Sequence, residues 1–108
     1  MGFFDFFGFD TNDGATLINE FIQKNAVIID VRTLEEFEDG HVQGSINIPL
    51  HELTDEINRI KKLKKPVIAC CRTGARSGTA SNILKQSGIE SINGGAWQTV
   101  DKHLHAKS

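Results

Sequence analysis

The sequence predicts an α/β fold, an open and mostly parallel sheet with helices on both faces. Three observations support this class. The chain has 108 residues, which suits one domain, and its 39% apolar and 24% charged residues are the balance of a folded globular protein. Short apolar runs alternate with segments that carry apolar residues at helical spacing. These runs are nearly continuous, as expected for parallel strands that helices cover on both faces.

The first predicted helix precedes the first predicted strand. Asp13 is a candidate N-cap, and after it apolar residues recur at helical spacing, namely Leu17, Ile18, Phe21 and Ile22. Residues 26 to 31, AVIIDV, are rich in β-branched side chains and predict a central strand. Residues 33 to 36, TLEE, match a capping box: the Thr33 hydroxyl can accept a hydrogen bond from the amide three residues later, while the Glu36 side chain reaches back to the start of the helix. Gly40 is predicted to end this short helix.

The middle of the chain predicts a very short strand and a longer helix. Gly44, Asn47 and Pro49 leave room only for a short strand near Ile46. One face of an amphipathic helix follows, consisting of Leu50, Leu53, Ile57, Ile60 and Leu63. This helix must end before Pro66, and the basic stretch KKLKK at 61 to 65 complements its C-terminus. Residues 66 to 70, PVIAC, predict a second buried strand.

The last third predicts a helix, a strand and a final helix. Ala80, Ile83 and Leu84 form the apolar face of the first helix, and Gly88 ends it. Residues 89 to 92, IESI, predict a further strand, and the pair at 94 and 95 predicts a glycine turn. The final helix is marked by Trp97, Val100 and Leu104. The predicted domain therefore occupies residues 13 to 105, with a polar tail at 106 to 108.

Residues 1 to 12 are predicted to be an aromatic arm or a first strand, with a partner-docking or membrane-touching segment as the alternative. The start MGFFDFFGFD lacks the basic region and cleavage site of a signal peptide, is too short to span a bilayer, and has Phe6 where myristoylation needs Ser or Thr. Net charge is −2, which provides no general attraction for nucleic acid. Adjacent cysteines argue against a disulfide framework, so we expect a cytoplasmic protein. Two thiols without other clustered ligands make a poor zinc site, and we expect neither a metal nor a cofactor.

The two cysteines, Cys70 and Cys71, are predicted to differ in role. Cys70 is assigned to the buried strand, whereas Cys71 is placed just past its carboxyl end, where α/β folds bind ligands. Cys71 is therefore the candidate nucleophile. The alternative is a disulfide between the two, which is strained because adjacent Cα atoms lie only ~3.8 Å apart.

The segment CRTGARS, residues 71 to 77, predicts an anion-binding loop. Because it joins a strand to a helix, the amides of residues 72 to 77 can point inward around Cys71, and Gly74 provides a position without Cβ. Arg72 and Arg76 flank the thiol and, with the amides, are expected to lower its pKa. A standing thiolate is therefore expected without a partner base, and the loop contains no histidine.

The chain resembles the rhodanese family of sulfurtransferases, specifically its small single-domain members. Residues 28 to 49 are similar to the first family signature at Asp30, Val31, Arg32, Glu36, Phe37, Gly40, His41, Gly44, Asn47 and Pro49. CRTGARS resembles the active-site loop, with Cys71 at the nucleophile position and Arg76 at the closing arginine. INGGAW, residues 92 to 97, resembles the glycine pair and tryptophan near the end, although members commonly carry the tryptophan further along. The resemblance covers most of the chain and leaves the aromatic arm unexplained.

The resemblance implies sulfur transfer through a persulfide on Cys71. A sulfane sulfur passes from a donor such as thiosulfate to the cysteine and then to cyanide or a thiol, including a protein thiol. The residues expected to bind the persulfide are Arg72, Thr73, Gly74, Ala75, Arg76 and Ser77. Asp30 and Arg32 are expected to support the loop, Asp30 by accepting loop amides and Arg32 by pairing with Glu36. His41 is expected to be a turn residue.

Two other functions stay open at this point. A phosphatase or arsenate reductase of related fold also places Cys and Arg on an amide-lined loop, but those loops carry five residues between the two, and this chain has four, Arg72 to Ala75. A binding or sulfur-carrier module without turnover on small acceptors has an identical sequence pattern. His51, His103 and His105 do not predict a metal site, and the oligomeric state is not encoded in these patterns.

Overall fold

The computed structural model describes residues 13 to 106 and confirms the predicted α/β class. Its strands in this range are β1 (Val27–Asp30), β2 (Ile46–Asn47), β3 (Val67–Cys71) and β4 (Ser91–Ala96). They form one all-parallel sheet in the order β2, β1, β3, β4. The helices are α1 (Asp13–Gln23), α2 (Leu34–Glu38), a 3₁₀ helix (Leu50–Glu56), α3 (Ile57–Lys62), α4 (Ala75–Gln86) and α5 (Trp97–Ala106).

Helices cover both faces of the sheet, as the sequence predicts. On the face that we call the α4 face, Ile29 and Ala69 pack with side chains of the 3₁₀ helix, α3 and α4. On the opposite face, which we call the α5 face, Ile28 and Ile68 pack with α1 and α5. Successive strand side chains point to opposite faces, so each central strand contributes to both cores. This explains why β1 and β3 are nearly continuous apolar runs.

The short helix α2 begins at the predicted capping box. The Thr33 hydroxyl oxygen accepts a hydrogen bond from the Glu36 amide, and the Glu36 carboxylate accepts one from the Thr33 amide. Asp39 caps the C-terminus of α2, directly before Gly40. The capping box matters for the site because it fixes Glu36 at the carboxyl edge of the sheet.

The helix predicted from Leu50 to Leu63 is wrong as a single α-helix. The chain forms a 3₁₀ helix over Leu50–Glu56 and becomes α-helical only from Ile57. Leu50 and Leu53 are three residues apart, the spacing that a 3₁₀ helix places on one side. Only Leu53 and Ile60 of the predicted apolar face are fully buried, and Leu63 is 40% exposed.

The glycine pair at 94 and 95 lies inside strand β4, so the predicted turn is wrong. The register moves from Ala69 opposite Asn93 to Cys70 opposite Gly95, and Gly94 is the extra residue of a β-bulge. A Cβ on Gly94 would lie 2.7 Å from both Ile68 and Val100 side chains, and Gly95 has a positive φ of 82°. Glycine is required here by strand packing and bulge geometry, which local turn patterns do not distinguish.

The predicted end of α4 and the predicted start of α5 are confirmed. Helix α4 ends before Gly88, which has a φ of 85°, and α5 begins at Trp97, both as predicted. The aromatic arm at 1 to 12 and the end of the polar tail lie outside the described residues. Between residues 13 and 106, no helix is long and apolar enough to cross a membrane.

Candidate functional site

Cys71 lies at the carboxyl edge of the sheet as the last residue of β3. The sequence placed it one step beyond the strand, but it is still in register with Ala96 of β4. Its side chain belongs to the core on the α4 face, whereas Cys70 belongs to the core on the α5 face. Both thiols are free and neither residue is solvent-exposed. The two side chains thus point away from each other, so a disulfide between them does not fit this backbone.

The loop after Cys71 surrounds the sulfur with hydrogen-bond donors. The Gly74 amide lies 3.0 Å from Cys71 Sγ and the Ser77 amide lies 3.4 Å from it. The Ser77 hydroxyl oxygen lies 3.2 Å from the same sulfur. Gly74 has a φ of 103° and precedes α4, so the left-handed turn at this residue directs the chain into the helix while its amide faces the sulfur. The N-terminus of α4 therefore opens onto Cys71, where its dipole favours negative charge.

These contacts change the acidity of the thiol. Burial raises the pKa of Cys71, but hydrogen bonds from the Ser77 hydroxyl and from the amides of Ser77, Gly74 and Thr73 lower it, and the resulting pKa is below the ordinary value. The sequence attributed this effect to Arg72 and Arg76 as well as to the amides. In the structure Ser77 makes the largest favourable contribution. The sequence analysis includes Ser77 in the persulfide-binding loop but assigns no role to its hydroxyl.

Arg76 binds Glu36 at the rim of the loop. Its two terminal nitrogens lie 2.8 and 3.1 Å from the Glu36 carboxylate oxygens, and this fork connects α4 to α2. The ion pair lowers the pKa of Glu36 to about 2, mainly through the Arg76 hydrogen bond. Since Glu36 is occupied by Arg76, the predicted pairing of Arg32 with Glu36 is wrong.

Arg32 binds Asp30 instead, in an ion pair that is nearly fully buried. Arg32 Nε and Nη2 donate to Asp30 at 2.9 and 2.7 Å, and Nη2 also donates to the Gly40 carbonyl at 2.7 Å. The guanidinium lies 5.2 Å from the Trp97 ring centre. Asp30 is in register with Cys70, so this group lies on the α5 face. The Asp30 carboxylate accepts a hydrogen bond from the Arg32 amide at 3.0 Å. The sequence analysis instead expects it to accept hydrogen bonds from amides of the cysteine loop.

A cleft of about 310 Å³ opens at this edge of the sheet beside the loop. Arg72 and Trp97 lie on its wall, together with Arg32, Glu36, Asp39, Gly40 and Gln98. A Cβ on Gly40 would lie 3.3 Å from the Trp97 ring, so the glycine allows the ring to approach the backbone. Trp97 therefore occupies the wall of the cleft, directly after the end of β4.

His41, His51 and His103 make contacts with groups other than the Cys71 sulfur. The ring of His41 stacks on Phe37 at 3.7 Å, and its Nδ1 lies 2.6 Å from the Phe37 carbonyl, which fits the turn role that the sequence predicts. His51 is near Glu52, and His103 contacts the Thr99 carbonyl. Among residues 13 to 106, no group of three or more His, Cys, Asp or Glu side chains is arranged to hold a metal ion.

A parallel α/β sheet with a thiol inside an amide-lined loop at its carboxyl edge defines a class of α/β proteins that hold a cysteine in an anion-binding loop. The rhodanese-like domain family model matches residues 14 to 98, so the chain belongs to the rhodanese-like family. This confirms the family resemblance that the sequence shows.

Individual relatives are consistent with this membership. The chain is 42% identical over 69 residues to the protein YqhL of Bacillus subtilis, covering 64% of this chain and 54% of that protein. It is 38% identical over 65 residues to the thiosulfate sulfurtransferase PspE of Escherichia coli, covering 59% and 62%. The chain thus spans less than two thirds of either relative. A rhodanese from E. coli solved with anions has 36% identity and a TM-score of 0.62, over 68% of this chain and 89% of that one.

Proposed function

We propose that the protein is a sulfurtransferase that carries sulfane sulfur as a persulfide on Cys71. The observation that carries this proposal is the pair of amide donors at Cys71 Sγ, from Gly74 and Ser77, with the Ser77 hydroxyl 3.2 Å from the same sulfur. They favour a sulfur anion without a general base. The similarity to a protein named thiosulfate sulfurtransferase makes thiosulfate the first donor to test.

The first half-reaction transfers the outer sulfur of thiosulfate to the enzyme. The Cys71 thiolate attacks the sulfane sulfur, a new S–S bond forms, and the S–S bond of thiosulfate breaks. Sulfite leaves with the bonding electron pair, so no proton is needed at the leaving group. The product is a persulfide anion on Cys71, which the loop amides and the α4 N-terminus stabilise.

The second half-reaction returns the enzyme to its starting state. Cyanide attacks the outer persulfide sulfur, thiocyanate forms, and the Cys71 thiolate leaves. A thiol acceptor, including one on a protein, takes the same sulfur in the same way. Arg72 is exposed on the wall of the cleft, where its charge attracts an anionic donor. Arg76 braces the loop through Glu36, and Asp30 with Arg32 fixes the neighbouring edge at Gly40 and Trp97.

The ion pair of Arg76 argues against a phosphatase. Both of its terminal guanidinium nitrogens bind the Glu36 carboxylate, so they are hydrogen-bonded to a group outside the loop and not to a ligand inside it. The loop also has one residue fewer between Cys71 and Arg76 than phosphatase loops. Rapid hydrolysis of an aryl phosphate that depends on Cys71 would reverse this conclusion.

The full burial of Cys71 favours a second candidate, a sulfur carrier that exchanges only with a protein partner. In such a protein the persulfide forms but is shielded from small acceptors until a partner binds. The same chemistry at Cys71 operates in both cases, and the difference lies in which acceptor reaches the outer sulfur. A cytoplasmic location, predicted from the sequence, keeps the thiol reduced in either case.

Mass spectrometry tests the proposal directly. Reduced protein is incubated with thiosulfate, desalted and measured intact, and peptide mapping locates any added sulfur. We expect one additional sulfur atom on Cys71, lost on addition of cyanide with formation of thiocyanate. A Cys71 persulfide that resists cyanide would favour the carrier. Folded protein that gains no sulfur from thiosulfate would contradict the proposed donor.

A further inference from the structure

Asn93 of β4 connects the Cys71 loop to the neighbouring strand through both ends of its side-chain amide. Its Nδ2 donates to the Gly74 carbonyl at 2.9 Å. Its Oδ1 accepts the Ser77 hydroxyl at 2.6 Å and the Gly95 amide at 2.9 Å. A Cβ on Gly78 would lie 3.2 Å from Asn93 Nδ2, so this glycine leaves space for the amide. These hydrogen bonds therefore hold the Asn93 side chain in one position against the loop.

The Ser77 hydroxyl has two neighbours but only one proton. Its oxygen lies 2.6 Å from Asn93 Oδ1 and 3.2 Å from Cys71 Sγ. A serine hydroxyl donates one hydrogen bond and accepts others, so it cannot donate to both atoms at once. While the proton is on the Asn93 side, a hydrogen bond between Cys71 and the Ser77 hydroxyl requires the Cys71 thiol as its donor. A thiolate at Cys71 can share a hydrogen bond with that hydroxyl only when the proton is on its own side.

We propose that Asn93 is a positioning residue that competes with the Cys71 sulfur for the Ser77 hydroxyl proton. In the thiol state Ser77 donates to Asn93, and in the thiolate and persulfide states it turns to the sulfur. The Gly95 amide makes this reorientation inexpensive, because Asn93 Oδ1 keeps one donor after Ser77 leaves. The inference rests on the proposed function only in that it concerns the same sulfur.

The other charged groups near Cys71 are accounted for by different partners. Arg76 on α4 interacts with the Cys71 charge, but its guanidinium is bound to Glu36 of α2. Cys70 on β3 points to the opposite face and stays neutral, because burial raises its pKa. Asp30, which also acts on Arg76, is paired with Arg32. Ser77 is therefore the side chain whose donor direction can change with the state of the sulfur.

A double-mutant cycle tests the competition. The rate at which iodoacetamide alkylates Cys71 is measured against pH, with peptide mapping, in wild type, Ser77→Ala, Asn93→Asp and the double variant. The new carboxylate adds charge in both backgrounds, but it competes for the hydroxyl proton only when Ser77 is present. We expect Asn93→Asp to raise the midpoint of alkylation by about one pH unit more in the wild-type background than in the Ser77→Ala background. An equal shift in both backgrounds would overturn the inference.

Two features keep the experiment decisive. Asn93 is exposed, so its substitution leaves the core intact, and circular-dichroism melting verifies the fold of every variant. Should Asn93→Asp fail to fold, Ser77→Ala alone decides the question: reorientation predicts a higher midpoint than wild type, whereas a hydroxyl that always faces Asn93 predicts the same or a lower one. Alkylation needs no sulfur donor, so failure of this inference is distinguishable from failure of sulfur transfer.

Discussion

Cys70 and Cys71 are neighbours on β3 and equally buried, yet their thiols differ in acidity. Burial, with further repulsion from Asp30, raises the pKa of Cys70, which lies in the apolar core on the α5 face. Burial also raises that of Cys71, but the donors of Ser77, Gly74 and Thr73 more than offset it. Burial alone therefore does not decide thiol chemistry. The direction of the strand side chain decides it, because only one face of the sheet meets the N-terminus of α4.

Replacing each cysteine in turn gives the largest expected effect. Cys71→Ser removes the nucleophile, and we expect thiocyanate formation from thiosulfate and cyanide to fall by more than ~1000-fold. Cys70→Ser is the matched control and keeps most of the activity, because its side chain lies on the other face. Steady-state assays on both folded variants measure the contrast. Equal losses of activity would show that Cys70 takes part in transfer.

The two ion pairs of the site offer a second contrast, between buried and exposed charge. Asp30→Asn leaves Arg32 buried without its counterion, and we expect a loss of about 3–5 kcal/mol in the free energy of unfolding. Urea denaturation followed by circular dichroism measures it. Because this pair lies on the α5 face, the alkylation midpoint of Cys71 should change little in the folded variant. A large shift in that midpoint would mean that Asp30 acts on the loop.

Gly94→Ala tests the bulge that places Asn93 and Gly95 next to the loop. The new Cβ would lie 2.7 Å from side chains of Ile68 and Val100, both fully buried. Overpacking of this kind costs about 1–3 kcal/mol of folding stability. Gly14→Ala is the matched control, since no atom beyond its chain neighbours and the nearby backbone of its own helix lies within 4 Å of its Cβ position. Equal thermal stability of the two variants would contradict the close packing at the bulge.

The Glu36–Arg76 pair is predicted to have the smallest effect. It is partly exposed, so Glu36→Gln should cost at most about 1 kcal/mol at neutral pH. The pKa of Glu36 is lowered to about 2 in the folded protein, so its stabilisation is present above the ordinary carboxyl pKa of ~4.3 and is lost as pH falls toward 2. Melting temperatures of wild type and Glu36→Gln should therefore converge below about pH 3. A constant difference across this range would be inconsistent with the pair.

The order of elements, the capping box at Thr33 and the position of Cys71 near the sheet edge were predictable because each depends on local pattern. Residue periodicity shows which face is apolar, and a strand followed by a glycine-containing loop and a helix predicts an anion site. The family signatures added the loop arginine and the aspartate at the end of β1. These features do not require knowledge of which strands are adjacent.

The remaining features depend on contacts between distant segments. The pairing of Arg76 with Glu36 exists because β1 and β3 are adjacent in the sheet, so that α2 and α4, which follow them, begin at the same edge. Sequence spacing gives no such information. The role of Asn93 depends on a bulge in β4, whereas the pattern of its two following glycines equally fits a turn. The 3₁₀ helix could not be predicted from the sequence because the spacing of its first apolar residues also fits an α-helix. Tertiary packing selected among patterns that were locally equivalent.

The central claim is that the loop distinguishes two adjacent buried thiols. The most direct test is to alkylate the native, reduced protein with iodoacetamide between pH 5 and pH 9 and to quantify both cysteines by peptide mapping, with unfolded protein as reference. The account predicts that Cys71 reacts with a midpoint below ~8.5, the value of an unperturbed thiol, while Cys70 is protected until the protein unfolds. Reaction of both thiols with the same pH dependence, or of Cys70 first, would contradict it.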